Sequence, residues 1–162
     1  MEIRVALSED IEQIQSLAKR IWPIAYSSIL SQDQLHYMLD KFYHPQALQE
    51  QMDLGQTFFL LEEASQPVGF AAVALNEKPN ATKLHKLYVL PELHGKGRGK
   101  ALLNYCCGFA LKYEQKSIFL NVNRFNKAIS FYEKLGFECI ETVDIPIGNG
   151  YLMEDYIMQK FL

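Results

Sequence analysis

Cysteine is scarce in this chain, histidine is scattered, long apolar runs are missing, and positive charge is not in excess. Each shortage excludes a class of protein. The three cysteines, Cys106, Cys107 and Cys139, are odd in number and lack C-x-x-C spacing, so neither a disulfide framework nor a zinc site is expected. The four histidines, His36, His44, His85 and His94, include no i, i+4 pair, and no metal is expected. No segment approaches the roughly 20 apolar residues of a membrane helix. Residues 1–15, MEIRVALSEDIEQIQ, lack the apolar stretch of a signal peptide. The expected location is therefore cytoplasmic, with no membrane partner. Without secretion, the glycosylation pattern at Asn80-Ala81-Thr82 reads as chance. A net charge of −3 provides no global field for nucleic acid, so basic side chains matter only where they cluster.

What is present fits one domain, residues 1–162, long enough to bury a real core. No repeat, low-complexity tract or linker divides it. Residues 3–7 read as a strand. Ser8 is the expected cap of a helix whose apolar residues Ile11, Ile14, Leu17, Ala18 and Ile21 recur at helical spacing, and Pro23 is expected to bend or end it. Ser31 and Pro45 suit the starts of two further helices. The period then shortens. Residues 57–63 and 68–76 read as an antiparallel hairpin, and KLHKLYVL (83–90) as a further strand, stopped by Pro91. A helix from about 97 to 113, a strand at 117–122, a helix at 126–135 and a strand pair around Gly148-Asn149-Gly150 complete the chain. The fold class is α+β: a mixed, largely antiparallel central sheet flanked by helices.

One turn is unusual. Between KLHKLYVL and the helix stands His94-Gly95-Lys96-Gly97-Arg98-Gly99-Lys100. Helix N-termini carry unpaired N–H groups and partial positive charge, and a turn stripped of Cβ atoms lets a phosphate reach them. Lys96, Arg98 and Lys100 add positive potential. The Walker pattern fails twice, because His94 and Ala101 stand where it requires Gly and Ser or Thr. The dinucleotide pattern fails on glycine spacing. A plain flexible loop is the alternative, although three glycines then cost conformational entropy without return.

A second stretch, residues 120–137, LNVNRFNKAISFYEKLGF, carries further chemistry. Asn123 or Asn126 can cap the helix. Tyr132 shares a face with Ala128, Ile129 and Leu135, where core packing competes with catalysis. Taken together and in order, the two stretches resemble the GNAT superfamily of acyl-CoA N-acyltransferases. The family's Q/R-x-x-G-x-G/A turn stands here as His94 to Gly99. Its Asn before A-I-x-x-Y-E-K-L-G-F stands here as Asn126 before Ala128 to Phe137. The likeness spans nearly the whole chain and is strongest over 57–140. Two departures mark it: His94 replaces the usual Gln or Arg, and Asn126 lies two residues before Ala128 where many members have three, so Asn123 can share its role.

The resemblance implies a GNAT-like sheet whose central strands splay, with acetyl-CoA as co-substrate. It implies that backbone N–H groups of His94, Gly95, Lys96, Gly97, Arg98 and Gly99, supported by Lys100, hold the pyrophosphate. Leu87, Tyr88 and Val89 would pair with the pantetheine arm, and Asn123 and Asn126 would contact the cofactor. Tyr132 would act as general acid, its ordinary pKa of about 10 matching a leaving thiolate. His85, with an ordinary pKa of about 6.5, and Glu92 are the candidate bases. Chemistry expected is acetyl transfer to a primary amine, a polyamine or another small amine, or to a peptide amine; a non-catalytic acyl-CoA-binding regulatory module is the alternative. A looser likeness links residues 21–43 and 144–158 to bacterial spermidine/spermine N-acetyltransferases. Trp22, Tyr26, Tyr37, Phe42 and Tyr43 are candidates for an acceptor wall. Asp33, Asp40, Asp144, Glu154 and Asp155 are candidate counter-charges, or ordinary surface residues. A homodimer is compatible with all of this.

Overall fold

Two periodicities divide the chain, and the computed structural model, which describes all 162 residues, follows both. After a short strand β1 (Glu2–Val5), the helical pattern gives α1 (Ile11–Tyr26), α2 (Gln32–Tyr43) and α3 (Pro45–Asp53). The alternating pattern gives β2 (Thr57–Glu63), β3 (Gln66–Lys78) and β4 (Ala81–Val89). Then come α4 (Arg98–Lys112), β5 (Ser117–Asn123), α5 (Ala128–Lys134), β6 (Glu138–Gly148) and β7 (Tyr151–Phe161). The strands form one seven-stranded sheet in the order β1-β2-β3-β4-β5-β7-β6. Every pairing is antiparallel except β4 with β5.

Alternation along the strands sorts the core onto two faces. Phe58 and Phe70 lie on the face covered by α1 and α2: Phe70 meets Tyr43 at 5.9 Å between ring centroids, and Tyr43 meets Trp22 at 5.4 Å. Phe59, one residue on from Phe58, lies on the other face and packs against Tyr105 and Phe109 of α4 at 5.0 and 5.2 Å. Phe58, Phe59 and Phe70 are at most 1% exposed. Burial on this scale stabilises by about 1.5–3 kcal/mol per large apolar side chain.

Local chemistry explains where several boundaries depart from expectation. Ser8 opens a 3-10 turn rather than capping α1, and Asp10 holds the junction instead. Its carboxylate accepts from Leu7 N at 2.8 Å and from Arg4 at 2.9 Å. Pro23 neither ends nor interrupts α1; Lys19 and Pro23 both lie on the exposed side, where water can satisfy the freed carbonyl. Ser31 caps α2 by accepting from Gln34 N at 3.2 Å, and Pro45 starts α3, as expected. Helix α5 is shorter than expected because Asn126 Oδ1 accepts from Ala128 N at 2.8 Å, a turn of its own before the helix.

The centre of the sheet is where the site arises. Ala72 of β3 pairs with Lys86 of β4, but Val73 pairs with Leu84, so His85 is an extra residue bulged from β4. Pairing between β4 and β5 ends at Leu84 and Leu120. Beyond that point β4 continues to Val89 and β5 to Asn123 with no bond between them, so the sheet opens into a cleft of about 1220 Å³.

Candidate active site

At the end of β4, a 3-10 turn at Pro91–Leu93 leads into the glycine turn. Gly95 and Gly97 take φ of +77° and +79°, the left-handed region that an L side chain enters at a cost of roughly 1–2 kcal/mol. A Cβ at either would project into open space. Gly99 is different: a Cβ there would sit 3.4 Å from the Phe131 ring of α5, an ordinary contact, and no positive φ demands glycine. None of the main-chain N–H groups from Gly95 to Lys100 donates to an acceptor within the protein; the first bond of α4 is from Ala101 N to Gly97 O. Six consecutive donors are thus free at a glycine-rich helix start, four of them on residues that line the cleft, an arrangement that fits a diphosphate. The residues present therefore suit the phosphate arm of coenzyme A.

Side chains of this turn divide unequally. His94 and Lys100 line the cleft; Lys96 and Arg98 do not. Arg98 turns away, its Nε donating to Glu63 Oε1 at 2.6 Å and its Nη1 to Lys96 O at 2.8 Å. The expected positive field of Arg98 is thereby offset by a carboxylate. The His94 imidazole contacts Val89 O at 3.0 Å through Nε2, tying the turn to the strand before it. Leu87, Tyr88 and Val89 line the cleft along the β4 edge that β5 has left.

Across the opening, the β5–α5 connection presents two asparagines. Asn123 Oδ1 accepts from Phe125 N at 2.9 Å, and Asn126 Oδ1 from Ala128 N. Capping and ligand contact, alternatives in the sequence, are compatible here: each oxygen is used locally, while each amide NH2 donates to no protein group and the residue lines the cleft. Tyr132 follows on α5. It is 8% exposed, stacked edge-on against Phe131 and Phe137, and lines the cleft. Burial, then the neighbouring Tyr26 and Cys106, push its phenol well above the ordinary value, so it stays protonated at neutral pH.

The two expected bases fare differently. His85, on the bulge, lines the cleft, but burial and the nearby Lys83 and Lys86 bring its pKa down to about 3. Its Nε2 is enclosed without a hydrogen-bond partner, 3.6 Å from Glu77 Oε1. Glu92 does not line the cleft; it faces Arg20 at 3.3 Å in an exposed pair, because the 3-10 turn after Pro91 directs it toward α1. Glu92 is thus corrected to a surface position.

Asp155, one of the five candidate counter-charges, is 4% exposed and lines the cleft. Burial raises its carboxyl above the ordinary range; the Asn121 hydrogen bond and the charges of Lys83 and Arg124 oppose that rise. A usable signal exists in the sequence: Asp155 interrupts the stripe Met153, Asp155, Ile157 on β7. Above it, Trp22, Tyr26 and Tyr88 form an aromatic wall, with the Tyr26 and Tyr88 hydroxyls 2.9 Å apart. Of the other expected wall residues, Phe42 and Tyr43 line the cleft, whereas Tyr37 does not.

Comparison with known proteins converges on one family. Residues 26–157 match the acetyltransferase (GNAT) domain. The chain is 29% identical over 160 residues to the spermidine N(1)-acetyltransferase of Thermoplasma acidophilum, covering 95% of this chain and 96% of that one. It is 39% identical over 92 residues to an N-acetyltransferase of Methanocaldococcus jannaschii, of whose length that alignment spans 41%. Among solved structures, the PaiA N-acetyltransferase of Thermoplasma acidophilum in complex with coenzyme A superposes with a TM-score of 0.83, at 26% identity over 100% of both chains. A GCN5-related N-acetyltransferase of Rhodopseudomonas palustris shares the fold at a TM-score of 0.84 and 19% identity, over 99% of this chain and 95% of that one. The chain therefore belongs to the GNAT family and is an acetyl-CoA-dependent acyltransferase.

Proposed function

We propose that this protein acetylates a primary amine, with Tyr132 donating the proton that the departing thiolate takes up. The observation that carries the proposal is a buried, protonated phenol whose hydroxyl makes no hydrogen bond within the protein and which lines the cleft where β4 and β5 part. Acetyl-CoA supplies a thioester: the amine nitrogen bonds to its carbonyl carbon, the C–S bond breaks, and the thiolate is protonated.

The chain's own groups divide the remaining work. The free N–H groups of Gly95 to Lys100 hold the diphosphate. The open β4 edge at Leu87, Tyr88 and Val89 takes the amide-bearing arm as a further strand would. The amide NH2 groups of Asn123 and Asn126 donate from the opposite wall. His85, neutral and enclosed, does not store the amine's proton at neutral pH, and Glu92 stands outside the cleft. The ammonium therefore gives its proton to cleft water before attack, and the second nitrogen proton follows the same route afterwards. Water returns a proton to Tyr132.

Thiol release from acetyl-CoA with a panel of amines tests this. Tyr132→Phe is expected to lower kcat by about 10²–10⁴-fold while calorimetry finds the same affinity for CoA. Unaltered turnover would refute the acid assignment. CoA binding without thiol release on any amine would mark the chain as a binding module.

A further inference from the structure

The acceptor end of the cleft is apolar and holds one acid. Asp155 is the only aspartate or glutamate lining the cleft. Asp33, Asp40, Asp144 and Glu154 lie outside it, and Asp144 is paired with Arg124 at 2.6 Å. Lysines are better represented: Lys83 and Lys86 of β4 line the cleft, although the Lys86 ammonium itself is turned to Gln51 at 2.7 Å.

Asp155 has spare capacity. Its Oδ2 accepts from Asn121 Nδ2 at 3.4 Å, while Oδ1 receives no hydrogen bond from the protein. That oxygen is not among the sealed polar atoms, so it opens on the cleft. Cross-strand pairing of Asn123 with Asp155 fixes the face on which the carboxylate stands. Tyr26 is near both groups: it feels the charge of Asp155, and its own field reaches Tyr132.

The surrounding wall is greasy and fastened in place. Met38 of α2 and Ile145, Ile147, Leu152 and Met153 of the β6–β7 hairpin line it. Tyr37 Oη donates to Ile147 O at 2.7 Å, and Gln34 Nε2 donates to Leu152 O at 3.0 Å, closing α2 onto the hairpin. A cation buried here needs a counter-charge, and only one exists. A polyamine would bring a second and third ammonium to an apolar wall near Lys83.

We infer that the acceptor is a primary amine carrying one positive charge on an apolar body, its reacting ammonium held by Asp155 against Asn121, and that polyamines are poor acceptors. This rests on the amine-acetylation reading above, and it departs from the activity carried in the name of the Thermoplasma spermidine N(1)-acetyltransferase.

The test compares kcat/KM for phenethylamine and isoamylamine with that for putrescine and spermidine, by thiol release from acetyl-CoA, in wild-type protein and in Asp155→Asn. The monoamines are expected to exceed spermidine by about tenfold or more, and Asp155→Asn to lower kcat/KM for them by about 30-fold or more, chiefly through KM, with CoA affinity unchanged. Spermidine equalling or exceeding both monoamines would overturn this inference while leaving amine acetylation intact. So would an Asp155→Asn protein that folds, binds CoA and keeps the wild-type KM for phenethylamine. Should that variant fail to fold, the wild-type ranking alone decides. Thiol release with none of these four but with a peptide amine would overturn this inference alone, and release with no amine of the wider panel would overturn both readings together.

Discussion

Lys86 lies with its ammonium 2.7 Å from Gln51 Oε1 and over the rings of Phe58 and Tyr43 at 5.3 and 5.7 Å. Burial nevertheless outweighs these contacts and, with Lys83, brings its pKa down to about 7 from 10.5. Between those values the unfolded chain holds a proton that the folded one has released, so this group makes stability rise with pH across that window. Below about pH 7 its penalty is fully present. Urea midpoints measured from pH 7 to pH 10 should therefore climb more steeply in wild-type protein than in Lys86→Met; equal slopes would show that the lysine reaches water. At this scale part of the candidate site was legible. The glycines, Asn126 and Tyr132 could be named as candidates because the spacing of their motifs carries the family resemblance. Asp155 carried only the weak signal of an acid in an apolar stripe, and its burial, like the capture of Arg98 by Glu63, depends on which strands become neighbours.

Among elements, the strand–turn–helix unit around α4 shows how three similar glycines differ in purpose. Gly97 needs its positive φ, so Gly97→Ala should cost about 1–2 kcal/mol and, for a chain of this length, lower the melting temperature by roughly 2–8 °C, with weaker CoA binding. Gly99 has an ordinary φ and a Cβ would meet Phe131 at 3.4 Å, an acceptable contact. Gly99→Ala should therefore melt within about a degree of wild type or slightly above, alanine being the better helix former by about 1 kcal/mol. Differential scanning fluorimetry separates the two. A similar loss in both would mean that crowding, not backbone conformation, governs the turn. Element types followed from periodicity throughout, and boundaries less well. The β2–β3 hairpin turns on Ala64-Ser65, both at positive φ, 48° and 61°, with no glycine or asparagine to announce it. The bulge at His85 has no local signature, because it is a property of the pairing between β3 and β4.

Taken whole, the molecule keeps one continuous sheet that is parted only between β4 and β5. Coenzyme A bound across such an opening ties its two halves together. At 100 times its Kd, CoA should stabilise the fold by about 2.7 kcal/mol, a rise of roughly 5–11 °C in melting temperature. ATP, which shares the nucleotide but lacks the pantetheine arm, should give a smaller rise at equal concentration; an ATP shift matching that of CoA would mean that the β4 edge contributes no contact. The parted sheet was anticipated only through the family resemblance that the two motifs carry. The aromatic part of the proposed acceptor wall was also anticipated, but its aliphatic part from the last hairpin was not, because that depends on the docking of α2 against β6 and β7, segments about a hundred residues apart in sequence. That docking has a consequence for how local changes spread. Helix α2 is fastened to the hairpin through the main-chain oxygens of Ile147 and Leu152, so truncating Tyr37 or Gln34 would loosen the hairpin from the helix while leaving every residue of the glycine turn in place.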